Sequence, residues 1–174
     1  MTRELLLMRH AKSDWDHPGL QDRQRPLSTR GRKAAPRVGS WMRETGLEPD
    51  LVLCSTAVRT RETLELLGDA IPSGTPVHFL DALYHASVHT LLEEIRNAPP
   101  EAKCLLVVGH NPGLHELIWR LPVPGSMPPD VLARLRLKLP TGSLAHFRAP
   151  DGGWGSVAQR SLEFVEWITP RELR

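Results

Sequence analysis

Two arginines and two histidines follow apolar segments of this sequence and have side chains suited to binding and attacking a phosphoryl group: Arg9, His10, Arg59 and His110. Guanidinium groups match phosphate oxygens in bidentate fashion. A histidine surrounded by such cations is expected to have a lowered pKa, which leaves its neutral imidazole free to act as a nucleophile. The residue types therefore predict phosphoryl chemistry, provided that the fold brings the four side chains together.

Three short apolar runs precede these residues and are predicted to position them. They occupy 5–8, 50–54 and 104–109, and their lack of polar alternation is typical of strands buried on both faces. Each run leads into a helical pattern, so we predict an α/β fold with a mostly parallel central sheet, helices on both faces and antiparallel pairing confined to an edge. Ligands of such sheets bind beyond the carboxyl ends of the strands. The two arginines and two histidines are therefore expected to converge on one rim, beside helix N-termini that favour an anion.

The predicted helices have recognisable starts and ends. The first carries an apolar face that ends at Gly46, although Pro36 within it requires a kink or a position in the first turns. The third begins after Ser87 as its N-cap. The fourth begins with Asn111 as its N-cap and Pro112 at the first helical position.

The remainder of the chain is predicted to complete a single domain over residues 1–174. Residues 122–130 are rich in proline and are interpreted as a connection, because both flanks have the patterning of a core. After it, the leucines of 135–139 alternate with charged residues, and so does part of 161–168. Both segments are predicted to be exposed strands near the edge of the sheet.

The composition is that of an ordinary globular protein, with 40% hydrophobic residues, 24% charged residues and a net charge of +2. No apolar run reaches the roughly 20 residues that cross a bilayer, and the first strand begins too early for a signal peptide. We therefore predict a cytoplasmic protein with no membrane partner. Cys54 and Cys104 lie in apolar runs and are interpreted as buried thiols rather than as a disulfide.

A basic stretch follows the first strand and extends into the first helix. Six cationic residues occur within residues 23–37, and no acid lies between Arg23 and Arg43. One interpretation is a solvated helix face; the other is a positive approach to an anionic substrate or a docking phosphoprotein. A nucleic-acid partner is not predicted, because the stretch lacks interleaved aromatic residues for base stacking.

Several separate motifs resemble those of the histidine phosphatase superfamily, also called the phosphoglycerate mutase-like family, and they occur in the same order. They span nearly the whole chain and include LMRHAKS at 7–13, DRQRPLSTRG at 22–31, CSTAVRTRETLELL at 54–67, DALYHAS at 81–87, VVGHNPGL at 107–114 and LPTGSLAHF at 139–147. The first motif has Ala11 where the family more usually has glycine. In this respect the chain resembles the small SixA-like branch of the family, which contains phosphohistidine phosphatases.

This resemblance implies a metal-independent phosphatase that needs no cofactor. His10 would be the nucleophile and would become phosphohistidine during turnover. Arg9 and Arg59 would hold the phosphoryl oxygens, and His110 would help to stabilise the transferring group. The cationic pocket would supply the electrostatic stabilisation that a metal otherwise provides. The implied partner is a phosphorylated substrate, either a phosphohistidine protein or a small phosphoester.

The general acid of the reaction is not evident in the sequence. Larger members of the family have a glutamate after the third strand, and the corresponding region here, 79–87, contains none. Asp81 is the candidate acid, although a structural surface aspartate fits it equally well, and Asp14 is the alternative. A missing acid matters less when the leaving group is already good, as in a phosphoramidate such as phosphohistidine.

Other functions fit the sequence less well. A cysteine phosphatase needs a cysteine and an arginine separated by five residues, whereas four residues separate Cys54 from Arg59. No HExxH motif indicates a metal site. A non-catalytic module that binds phosphate or a phosphoprotein would need the pocket but not the nucleophile, so the presence of His10 argues against it. The main alternative is a small-molecule phosphomonoesterase with the same mechanism.

Overall fold

A computed structural model describes residues 2–149 and 151–173, which contain a six-stranded sheet. Its strands are β1 (Arg3–Arg9), β2 (Leu51–Ser55), β3 (Val77–Leu80), β4 (Cys104–Gly109), β5 (Leu144–Ala149) and β6 (Glu163–Ile168). Their order across the sheet is β3-β2-β4-β1-β5-β6. The pairs among β1 to β4 are parallel, whereas β5 and β6 are antiparallel to their neighbours. The predicted α/β fold with a mostly parallel sheet and an antiparallel edge is confirmed.

Five α-helices in the described part of the chain cover the two faces of this sheet: α1 (Thr29–Thr45), α2 (Val58–Leu66), α3 (Val88–Arg96), α4 (Gly113–Arg120) and α5 (Pro129–Leu137). Side chains alternate along the central strands, so each strand contributes to two hydrophobic cores. On β1, Leu5 and Leu7 pack with residues of α3 and α4, whereas Leu6 and Met8 pack with residues of α1 and α2. This double burial explains the apolar runs without polar alternation.

Two predicted helix ends are confirmed, and a third is wrong by one residue. Gly46 ends α1 in the left-handed conformation with φ 73°, and the Ser87 side chain accepts a hydrogen bond from the Thr90 N–H at the start of α3. Helix α4 begins at Gly113 and not at Pro112. The Asn111 side chain does not cap it, because its Oδ1 accepts no hydrogen bond within the described residues, and its Nδ2 donates to the Leu139 carbonyl at 3.4 Å.

The prediction of a strand at 135–139 is wrong, because this segment belongs mostly to α5. Proline at the first helical position, Asp130 in the first turn and arginines in the last turn all favour a helix here. Leu135 is buried but Leu137 is 87% exposed, so the leucine alternation does not mark one buried face. The prediction for 161–168 is confirmed, since β6 is the edge strand.

The described residues contain no helix that is long and apolar enough to span a membrane. Cys54 and Cys104 are both free and buried, which confirms their interpretation as core thiols. Burial raises the pKa of each thiol to about 12. A thiol with such a pKa is protonated at neutral pH, so Cys54 is a poor nucleophile.

Candidate active site

Three adjacent parallel strands, β2, β4 and β1, end at the same rim of the sheet. Arg9 is the last residue of β1, His10 follows it, Arg59 lies in the first turn of α2, and His110 follows β4. All four line one cavity of about 280 Å³. Its other lining residues are Lys12, Ser13, Trp15, Asp22, Arg25, His85, Asn111 and Thr141. The fold therefore brings together the four side chains that are far apart in sequence.

The His10 imidazole is oriented by a backbone contact. Its Nδ1 lies 2.7 Å from the Ala11 carbonyl oxygen. A carbonyl can only accept, so Nδ1 carries the proton and donates it, and the lone pair of the neutral ring is on Nε2. The Ala11 backbone is itself fixed, because its N–H donates to Thr63 Oγ1 at 3.0 Å.

His10 is held in its neutral form. Burial is the largest cause that lowers its pKa, to about 3. The hydrogen bond to Ala11 opposes this shift, and the positive charges of Arg9, Arg59 and Arg25 add to it. At neutral pH the ring therefore has an unprotonated Nε2.

His110 lies beside His10, with 5.4 Å between the two ring centroids. Its Nε2 is 2.7 Å from Ser55 Oγ, at the end of β2. Burial is again the main cause that lowers the pKa of His110, to about 2, and the positive charge of Arg59 contributes. Its Nδ1 is buried and has no hydrogen-bond partner among the described residues.

The Arg59 guanidinium is 2% exposed and is fixed mainly by Asp22. It donates to the Asp22 carbonyl at 2.7 Å and to Asp22 Oδ2 at 2.9 Å. Arg9 donates from one terminal nitrogen to the Leu139 carbonyl at 2.8 Å. The Nε atoms of both arginines are buried without a partner in the described part of the chain. Both guanidinium groups are thus oriented by the protein and retain donors for a ligand.

A third guanidinium belongs to the same network. Arg25 donates to Asp22 Oδ1 at 3.1 Å and to Ser13 Oγ at 2.9 Å, and it stacks on the Trp15 ring at 3.4 Å from the ring centroid. Asp22 also accepts a hydrogen bond from the Tyr84 hydroxyl. Burial alone would raise the pKa of Asp22, but the hydrogen bonds from Tyr84 and the arginines hold that pKa well below its usual range. Asp22 is therefore ionised at neutral pH.

Comparison with known proteins decides the family of this chain. Residues 5–88 match the family model described as histidine phosphatase superfamily (branch 1). An uncharacterised protein of Mycobacterium tuberculosis strain H37Rv is 37% identical over 165 residues, which cover 94% of this chain and 100% of that protein. The chain belongs to the histidine phosphatase superfamily.

Two solved structures extend this relationship to the SixA proteins. The protein assigned as phosphohistidine phosphatase SixA from Nakamurella multipartitia superposes with a TM-score of 0.83 at 32% identity, covering 98% of this chain and 97% of that chain. Its counterpart from Agrobacterium tumefaciens gives a TM-score of 0.78 at 28% identity, covering 97% and 98%. The resemblance predicted from the motifs is confirmed, and the chain is a phosphatase of this superfamily.

The candidate acid of this histidine phosphatase does not lie with the other four side chains. Asp81 is outside the cavity, with 76% of its side chain exposed. Its Oδ1 accepts hydrogen bonds from Thr56 Oγ1 at 2.7 Å and from Arg23 at 3.1 Å. Asp14 is also outside the cavity, and its carboxylate accepts from the Asp16 N–H. A role for Asp81 as proton donor stays a prediction.

Three residues that line the cavity, Asp22, Arg25 and His85, were not predicted from the sequence as members of the site, and neither was Tyr84, which contacts Asp22 and His85. Asp22 and Arg25 belong to the motif at 22–31, and their spacing of three residues was an available signal for an ion pair. His85 stacks on Tyr84, with 4.2 Å between ring centroids, and meets the His110 ring edge-on at 5.0 Å. No local pattern indicates that this loop forms an aromatic wall of the cavity.

No cluster of three or more His, Cys, Asp or Glu side chains in the described ranges is arranged to hold a metal ion. The positive charge that faces the cavity comes from the guanidinium groups of Arg9, Arg25 and Arg59 and from the ammonium group of Lys12. Such a set is suited to binding an anion directly.

Proposed function

We propose that this phosphatase hydrolyses phosphohistidine in proteins, without a metal, through a covalent phosphoryl intermediate on His10. The observation that supports this best is the composition of the cavity. It has a neutral imidazole with a free Nε2 among guanidinium groups, and the carboxylate that lines it, Asp22, is ionised. The cavity thus has a nucleophile and anion-binding groups but lacks, among its described lining residues, a protonated carboxyl group.

In the first step, His10 Nε2 attacks phosphorus while the bond from phosphorus to the leaving atom breaks. The ring acquires a positive charge as the new P–N bond forms. The Nδ1–H that donates to the Ala11 carbonyl stabilises this charge, because the hydrogen bond strengthens as its donor becomes cationic. The same contact orients Nε2 for in-line attack.

The phosphoryl oxygens are bound by Arg9, Arg59 and Arg25 in this proposal. Because their orientations are fixed before the substrate arrives, little reorganisation is needed in the transition state. His110 supplies a further donor. In this proposal Ser55 Oγ, which accepts the Ala57 N–H, donates its own proton to His110 Nε2, and the ring proton of His110 is then on the unpartnered Nδ1.

The identity of the leaving group explains why an acid is dispensable. When the second ring nitrogen of phosphohistidine is protonated, the leaving imidazole departs as a neutral molecule as the P–N bond breaks. His10 takes up the phosphoryl group with its own Nδ1 proton in place, and the transfer between two imidazoles needs no proton movement. An alkyl phosphate would instead release an alkoxide, for which the ionised Asp22 has no proton to give.

The second step regenerates the enzyme. Water attacks phosphorus, the bond to His10 Nε2 breaks, and its electron pair returns to the ring. Phosphate leaves as the dihydrogen anion with both protons of the water, so charges and atoms balance. We place this reaction in the cytoplasm, where the two free thiols would remain reduced.

A substrate panel tests the proposal. We expect turnover of a phosphohistidine peptide and of nitrophenyl phosphate, whose phenolate leaves readily, and much slower turnover of an alkyl phosphate. A strong chelator should leave all rates unchanged. Faster hydrolysis of the alkyl phosphate than of phosphohistidine would favour the small-molecule phosphomonoesterase, and no hydrolysis of any substrate would favour a binding module.

A further inference from the structure

The basic stretch of residues 23–37 divides into two groups in the structure. Three of its arginines pair with acids: Arg23 with Asp81, Arg25 with Asp22, and Arg32 with Glu62. The other three cations, Arg30, Lys33 and Arg37, form no ion pair within residues 2–149 and 151–173. A solvated face with mixed charge explains the first group but not the second.

The unpaired cations lie on one face of α1, since they are separated by three and four residues. They line a groove of about 850 Å³ together with Arg171 of the C-terminal segment. A second cavity of about 420 Å³ shares Arg30 and Arg171 with this groove. That cavity also shares Arg9, Lys12 and Thr141 with the catalytic cavity, so the groove is continuous with the active site.

We call this surface the basic track and define it by six exposed cations: Lys12, Arg30, Lys33, Arg37, Lys138 and Arg171. The two cavities that form it have no aspartate or glutamate in their linings. None of the six cations has an ion-pair partner in the part of the chain that the structure describes. Repulsion between like charges makes such a cluster unfavourable for the free protein, whereas an anionic ligand would neutralise it.

The length of the basic track indicates what kind of anion could bind to it. Arg30 and Arg37 are seven residues apart on a helix, which corresponds to about 10 Å along its axis. A single phosphate held in the catalytic cavity cannot span this distance. The groove lining lacks aromatic side chains, so it has no platform for nucleic-acid bases. An acidic polypeptide segment has both the length and the charge that the track requires.

We propose that the basic track docks an acidic segment of the phosphoprotein substrate, with Asp or Glu side chains flanking the phosphorylated histidine. This inference rests on the proposed function and adds a rule for choosing substrates. The catalytic cavity binds the phosphoryl group, and the track distinguishes one phosphoprotein from another by the charge of its flanking sequence.

The test compares two phosphohistidine peptides of equal length, flanked by glutamates or by glutamines. The test variant is Lys33→Glu/Arg37→Glu, and the matched control is Arg43→Glu/Arg136→Glu, which makes the same change in net charge at exposed sites that do not line the track. We expect the native enzyme to prefer the glutamate peptide by about tenfold in kcat/KM at low salt. The test variant should lose this preference through KM, and the control should retain it.

Salt and a small substrate separate docking from damage to the fold. The preference should shrink as ionic strength rises, because salt screens exposed charges. Hydrolysis of nitrophenyl phosphate, which has no flanking segment, should be similar in the test variant and the control. Equal kcat/KM values for the two peptides with the native enzyme would overturn the proposal.

Direct binding of an unphosphorylated glutamate peptide, measured by fluorescence anisotropy, keeps this proposal separate from the proposed function. Binding that the test variant loses and the control keeps supports docking even if no phosphohistidine is hydrolysed, and the failure would then lie with the proposed substrate. Tighter binding of a single-stranded oligonucleotide of equal charge would overturn the choice of an acidic polypeptide.

Discussion

The catalytic cavity and the basic track carry the same sign of charge but hold it in different ways. In the cavity Arg59 and Arg25 are 2% and 7% exposed and are bound to Asp22 in fixed orientations. In the track Lys33 and Arg37 are exposed and unpaired within the described residues. Fixed guanidinium groups can bind particular oxygens of a transition state, whereas exposed, unpaired cations mainly attract an anion over distance. Changes in the cavity should therefore affect kcat, and changes in the track should affect KM.

The largest effect is expected at His10, because the covalent step depends on its Nε2. His10→Ala should lower kcat by roughly 10⁴-fold or more. Brief incubation of the native enzyme with labelled substrate should give an acid-labile, base-stable label on His10, and the variant should give none.

Cys54→Ser is the control for this prediction. The thiol is buried and protonated, so its replacement should leave turnover largely intact. A label retained by His10→Ala, or an equal loss of activity in Cys54→Ser, would contradict the role of His10.

A smaller but substantial loss of activity is expected for Arg59→Lys, which keeps the positive charge but removes the planar guanidinium group with its several N–H donors. Lysine cannot donate at once to the Asp22 carbonyl, to Asp22 Oδ2 and to a phosphoryl oxygen in the observed geometry. We expect kcat to fall by about 10²-fold to 10³-fold, the scale seen when one oriented donor to a transition state is removed. A change confined to KM would mean that Arg59 only attracts the substrate. The cavity and the basic track would then affect the same kinetic constant, against the difference proposed above.

The rim of the sheet could be predicted because its signals are local. The runs at 5–8, 50–54 and 104–109 lack polar alternation, and the topology of parallel strands then places their carboxyl ends together. The arginines and histidines of the site follow those runs closely in the sequence, so their place at the strand ends can be predicted. Arg9, His10 and His110 needed no tertiary information to be chosen.

The residues that hold the catalytic side chains in place could not be predicted in the same way. Asp22 lies in a short 3₁₀ turn, 37 residues before Arg59, and no periodicity links the two. The same limit applies to the basic track, because the sequence shows Arg30, Lys33 and Arg37 beside the paired arginines without distinguishing them. The error at 135–139 has a different cause, since a few alternating leucines fit either a strand or a helix.

The acid sensitivity of folding tests whether the cavity keeps its histidines neutral. The pKa values of His10 and His110 are lowered to about 3 and about 2 in the folded chain, from 6.5. As pH falls below about 6.5 the unfolded chain takes up protons that the folded chain does not, so the free energy of unfolding decreases. Each group contributes a slope of up to about 1.4 kcal/mol per pH unit between its two pKa values.

His10→Gln should flatten this slope, because the variant has one fewer buried group that resists protonation. Denaturant unfolding from about pH 7 to about pH 5 measures it. His89→Gln is the control, since His89 is exposed on α3 in the folded chain as it is in the unfolded chain. Parallel stability curves for the native enzyme and His10→Gln would show that His10 is not held neutral.

The smallest effect is expected at Asp81, which lines neither the catalytic cavity nor the basic track. A general acid would make Asp81→Asn roughly 10²-fold slower on an alkyl phosphate and much less affected on nitrophenyl phosphate, because an acid lowers the barrier in proportion to the charge on the departing atom. The exposed carboxylate is instead held by Thr56 and Arg23, outside the cavity. We therefore expect rates within about threefold of the native enzyme on every substrate, as for other exposed ion pairs. A selective loss on the alkyl phosphate would make Asp81 the acid, and an equal loss on all substrates would show that it positions the loop.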